Sequence, residues 1–150
     1  MQVKLGKNMD STAAAFNSTP SDGTLKAYLK AVANYANFIV GRDNHGNAAG
    51  TEKHQECAKA IRHTKSQKHG ALDGVDPDSI VRLGGGETAK FDVVWVGASD
   101  VYVYDFKFGE ASSSSHQQDK YERALKGLYP DRNIHTLREI HPTNNARSGA

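Results

Sequence analysis

A chain of 150 residues, 37% of them hydrophobic and 24% charged, holds enough apolar mass for one modest core. Its formal charge of +2 permits a polyanionic partner without requiring one, and its single cysteine, Cys57, excludes an internal disulfide and a thiolate zinc cage. No segment has the apolar length of a membrane span, so no membrane partner is expected.

Residues 1–23 are polar and rich in small side chains. They read as a flexible N-terminal arm without an apolar signal core, leaving 24–150 as a single domain. Ser18-Thr19-Pro20-Ser21-Asp22 supplies helix-start chemistry. Leu25, Tyr28, Leu29, Val32, Tyr35, Ala36 and Ile39 then recur at helical spacing, which predicts a helix over 24–40 with one packing stripe. Gly41 to Asn47 ends it in a loop.

A second helix is expected over 51–64, with Thr51 as its N-cap. Glu52 and Glu56 fall early in it, where a helix start favours negative charge. Lys53, Lys59, Arg62, Lys65 and Lys68 make the helix and its exit basic. That row suits phosphate-backbone contact, and it equally suits a solvated helix face. His54, Cys57, His63 and His69 lie among them at a spacing that matches no strong zinc signature.

Residues 70–86 read as a long connection holding Asp73-Gly74, Asp76-Pro77-Asp78 and Gly84-Gly85-Gly86, with a short strand or helical turn over 79–83. The glycine run is wrongly followed for a phosphate-binding loop and reads as a flexible entry to a hairpin. Glu87, just before the hairpin, is a spare carboxylate.

The hairpin is the informative stretch. Residues 91–96 are apolar, β-branched and aromatic, Gly97 to Asp100 is a turn cluster, and 101–108 is a second strand. Alternation puts Val101, Val103, Asp105 and Lys107 on one face and Tyr102, Tyr104, Phe106 and Phe108 on the other. Asp92 opens the partner strand, so pairing brings it toward Asp105 and Lys107. Ser112 to Ser115 offers N-cap candidates for a helix over 116–128, where Gln117 and Tyr121 stand one turn apart. The plainer alternative is an amphipathic helix with Tyr121, Leu125 and Leu128 in the core. Tyr129-Pro130-Asp131 breaks this helix, a last strand with a bulge follows over 133–140, and 143–150 reads as a frayed tail. Arg138 on that strand is expected to face solvent. The fold class is α/β: a small mixed sheet flanked by helices.

The chemistry follows from the charges in the hairpin. Two carboxylates converging on one point repel unless a cation lies between them. Hard oxygen ligands suit Mg²⁺ or Mn²⁺. Such an ion acidifies a bound water and neutralises charge on a phosphoryl group. A lysine two residues from one carboxylate can orient that water or stabilise the transition state. Asp-x-Lys alone is a weak signal; an upstream aspartate and a downstream Gln-x-x-x-Tyr strengthen it.

On these residues the chain resembles the PD-(D/E)xK nuclease superfamily, the restriction-endonuclease-like fold. The resemblance runs from about residue 50 onward and does not reach the first forty residues. It implies that Asp92 and Asp105 are metal ligands, that Lys107 is the catalytic lysine, and that an early helix adds a glutamate. Glu52 is preferred for that role over Glu56 because it lies at the mouth of the helix. Gln117 and Tyr121 resemble the element found in the recombination-exonuclease branch. Phe91 stands where the family has its proline.

The expected function is a Mg²⁺- or Mn²⁺-dependent endonuclease acting on DNA or RNA. Asp92, Asp105, Lys107, Gln117 and Tyr121 would be catalytic, Glu52, Asp92 and Asp105 would hold metal, and Lys53, Lys59, Arg62, Gln117 and Tyr121 would hold the strand. A compact nuclease chain also resembles the toxin module of a polymorphic secreted effector. That implies action in the cytoplasm of a target cell and a cognate immunity protein; a phage or mobile-element setting is the other reading. The alternative from a different class is a nucleic-acid-binding domain without catalysis, with the basic helix as its working surface.

Overall fold

The computed structural model describes residues 1–41, 47–109 and 115–143. The expected loop after Gly41, the serine loop before the helix at 116 and the expected tail fall largely outside the described residues. The described elements run α1 (Gln2–Ser18), α2 (Asp22–Val40), α3 (Asn47–Gln67), β1 (Val75–Arg82), β2 (Thr88–Val96), β3 (Asp100–Phe106), α4 (Ser115–Leu128) and β4 (Asn133–Ile140). The chain is α/β. It divides into two compact units: Met1–Asp73 with Phe106–Glu110 and Ile140–Ala150, and Gly74–Asp105 with Ala111–Glu139.

The first unit is helical, and here one expectation is corrected: residues 1–23 are not an irregular arm. Gln2–Ser18 is α1, which packs on α2 and buries only Ala13 and Phe16. So narrow an apolar contact leaves no periodic stripe in the sequence. At α2, Ser21 Oγ accepts the Thr24 N–H and Thr24 Oγ1 accepts the Ser21 N–H, both at 3.0 Å, forming a capping box. Leu25, Tyr28, Leu29, Val32 and Ala36 of the expected stripe are buried, whereas Ile39 is exposed. The Tyr28 hydroxyl donates to Thr64 Oγ1 of α3 at 2.9 Å. Burial pushes that phenol up to about 12, against the opposing effect of the Thr64 bond.

A second correction concerns α3. It begins at Asn47 rather than Thr51, because Ala48 and Ala49 propagate a helix well and Ala49 is buried. Thr51 is therefore no N-cap, and Glu52 lies beyond the first turn.

The second unit is built on a four-stranded sheet in the order β1-β2-β3-β4. β1 and β2 pair antiparallel from Val75↔Trp95 to Arg82↔Thr88, and β2 and β3 from Val93↔Tyr104 to Val96↔Val101. β4 runs parallel to β3: the Asn133 N–H donates to the Ser99 carbonyl at its start, and the Lys107 N–H to the Ile140 carbonyl at its end, each at 2.9 Å. The sheet is thus mixed. β1 is longer than the expected 79–83 and takes in Asp76-Pro77-Asp78; as an edge strand it tolerates a proline. The β1–β2 turn needs Gly85 and Gly86, whose φ angles are +73° and +81°.

One face of the sheet packs under α4. Phe91, Val94, Val101 and Val103 meet Tyr121, Ala124 and Leu125 there. Leu128 stays exposed. On the opposite face Tyr102 is stacked between Trp95 and His135, at centroid distances of 5.1 and 4.5 Å. Arg138 is half-buried, with its guanidinium 5.1 Å from the Tyr102 ring centre, rather than simply solvent-facing.

Candidate metal centre

The registers place the two aspartates. Val96↔Val101 and Val94↔Val103 are paired levels on the α4 face. The next level down the same face holds Asp92 and Asp105. Their carboxylate oxygens lie within 4.8 Å of each other. Two oxygens on a single Mg²⁺, Mn²⁺ or Ca²⁺ stand at most about 4–5 Å apart, since each bond is about 2.0–2.6 Å long. Asp105 is buried and Asp92 half-buried, which raises the cost of holding two like charges together without a cation. The all-oxygen donor pair fits a hard divalent ion. Asp92 does not open its strand, as the sequence suggests: β2 starts at Thr88, because Ala89 to Phe91 pair with β1.

Above this pair sits α4. Tyr121 is buried with its ring 4.7 Å from Phe91, and its hydroxyl accepts from Gln117 Nε2 at 2.7 Å. Burial is the main cause that pushes the Tyr121 phenol up to about 12; the negative charge of Asp105 adds to it, the Gln117 bond opposes it, and Asp92 adds a smaller push. The helix therefore brings a neutral hydroxyl and an amide beside two carboxylates. Tyr121 and Leu125 also serve the core, so the plainer reading of this helix holds for them as well.

The remaining candidates belong to the helical unit. Lys107 lies just past β3, is buried, and holds the Ile140 carbonyl through its N–H. Glu52 is exposed on α3, and Glu56 pairs with Lys59 at 3.2 Å. Lys59 and Arg62 are exposed, as a phosphate-contacting face requires. Lys53 departs from that row: it is fully buried, with its ammonium 5.6 Å from the centre of the Phe108 ring. Its stem points into the unit because successive helix positions face about 100° apart, so a basic run in sequence is not a basic stripe in space.

His54 stands out in a way the sequence hid. Its Nδ1 is 2.8 Å from the Gly50 carbonyl and its Nε2 is 2.9 Å from the carbonyl of Phe106, the residue after Asp105. Edge contacts to Phe106 and Phe108 complete its seat. His63 and His69 remain exposed, Cys57 is buried, and these three do not gather with His54 into a ligand cluster. Nothing in the sequence separates His54 from the other two histidines.

No protein family, curated protein or solved structure matches this chain.

Proposed function

We propose that the protein is a Mg²⁺- or Mn²⁺-dependent endonuclease of the PD-(D/E)xK type, cleaving phosphodiester bonds in DNA or RNA. The observation that carries this reading is the convergence of the Asp92 and Asp105 carboxylates beneath a helix that presents Gln117 and Tyr121. The order of elements supports it: a helix, a hairpin and a following helix, as the superfamily resemblance implies. On this reading the ion, held by Asp92 and Asp105, supplies an acidified water and charge neutralisation. Lys107, two residues after Asp105, orients the attacking water or steadies the charge that develops on the phosphoryl oxygens. Gln117 and Tyr121 donate to phosphate oxygens, and Lys59 and Arg62 hold the strand through its backbone.

The setting that the resemblance implies is the toxin module of a secreted effector, acting inside a target cell and restrained by a cognate immunity protein. The test is incubation of the purified protein with plasmid DNA and with total RNA, with Mg²⁺ or with chelator. Cleavage is expected with the metal and not with chelator. Asp105→Asn and Lys107→Ala should each lose at least about a hundredfold in rate while still binding substrate. Tight binding without cleavage by the parent protein, indifferent to chelator, would favour the nucleic-acid-binding alternative.

A further inference from the structure

A strand that alternates sends neighbouring side chains to opposite faces. β2 does this in two halves that are out of step. In the first half Ala89 and Phe91 are buried beneath α4, with Val81 of β1 packed against the same core. In the second half Val94 enters that core and Val96 packs on it. Odd positions face α4 before the middle of the strand, and even positions after it. The step falls between Phe91 and Val94, and the approach of the Asp92 carboxylate to Asp105, whose neighbours Val101 and Val103 face α4, puts it ahead of Asp92. A strand without it, holding Ala89 and Phe91 inward, would turn Asp92 to the far face, away from Asp105.

The neighbouring strand carries a matching irregularity. β1 pairs Pro77 with Val93 and Ser79 with Phe91, so Asp78 stands across from Asp92. Asp78 has φ +55°, the only positive value for a non-glycine among the described residues. A left-handed residue takes one peptide out of strand geometry and locally re-aims the pair of strands. The Asp78 carboxylate itself is directed to Lys90, 3.6 Å away on the surface.

We propose that Asp78 is a positioning residue for the metal centre: its left-handed backbone makes the step in β2 that brings Asp92 onto the face of Asp105. It works through backbone conformation and not as a ligand. The proposal rests on the two-carboxylate reading above, and its test separates the two.

Asp78→Gly keeps the left-handed conformation and removes the carboxylate, Asp78→Asn tolerates it, and Asp78→Val opposes it. Each variant is measured by Mn²⁺ titration calorimetry, circular dichroism and crystallography. The Gly and Asn variants should bind Mn²⁺ within about twofold of the parent. The Val variant should keep its secondary structure, bind about tenfold more weakly or worse, and show Asp92 turned from Asp105. Should it fail to fold, Asp78→Ala, a milder opponent of the left-handed conformation, takes its place with the same direction of effect. Parental affinity and parental carboxylate separation in a folded Val or Ala variant overturn the proposal. Equal loss of binding in the Gly and Asn variants also overturns it, because the carboxylate would then be the working group. A parent that binds no Mn²⁺ sinks the metal reading instead; the structure of the Val or Ala variant then decides the positioning claim, which fails if Asp92 still faces Asp105.

Discussion

Tyr121 joins a packed ring to a hydrogen-bonded, shielded hydroxyl. Its ring lies on Phe91 and its hydroxyl takes the Gln117 amide, so the phenol is shielded from water beside two negative charges. Its pKa moves from 10.0 to about 12, which means the folded state holds this proton more tightly than the unfolded chain does. That contribution to stability is complete below pH 10 and is lost as pH rises toward about 12. Tyr121→Phe should therefore make urea-measured stability fall less steeply over this window. Tyr28 titrates in the same range, so the slope is reduced and not abolished. At neutral pH the variant should cost about 1 kcal/mol for the lost hydrogen bond. At the acid end, the His135 bond holds the Asp100 carboxyl below its ordinary 3.8, with Asn133 helping. His135→Ala should let that pKa rise, as read by side-chain carboxyl NMR. The strand face of Asp105 and the helix face of Tyr121 were legible because strand alternation and helical spacing act locally. Lys53 and His54 were not, because burial is set by neighbours distant in the chain.

At the scale of elements, α2 is the clearest case of local chemistry deciding structure. Ser21 and Thr24 close a reciprocal cap ahead of an apolar stripe. Ser21→Ala should cost about 1 kcal/mol and lower Tm by roughly 2–4 °C, measured by thermal unfolding followed at the helix signal. α1 shows the reverse. It has no side-chain cap and no acidic residue in its first turn, and it buries two residues in seventeen, so pattern reading finds nothing there to hold. Its place comes from packing on α2, with Phe16 buried, and from Asn17, whose Oδ1 accepts the Leu72 N–H at 3.2 Å. The start of β1 was illegible for a different reason. Asp-Pro-Asp is turn chemistry by composition, yet an edge strand accepts the proline and holds Asp78 in a left-handed conformation.

At the scale of the whole molecule, each unit has a core of its own. In the sheet unit Leu125 is buried against the strands from α4, so Leu125→Ala should destabilise by about 2–5 kcal/mol in chemical denaturation, the usual cost of a cavity of that size. A net charge of only +2 gives little long-range pull on a polyanion. On the proposed function, binding to nucleic acid should therefore rest on a few local contacts and weaken only modestly as salt rises. The α/β class was readable from the order of apolar runs, because each run is long enough to declare its period. The division into two units was not, since it depends on which runs pack together.

Trp95 is the only tryptophan in the chain, and it stands in the ring stack of the sheet unit. Its emission, excited selectively, is a built-in optical reporter of that unit, while the far-ultraviolet signal is dominated by α1, α2 and α3 of the other. A denaturant titration followed at both wavelengths yields two melting traces from one unlabelled sample. Coincident traces would make the chain a single cooperative folder; separated midpoints would make it a pair of independently melting bodies.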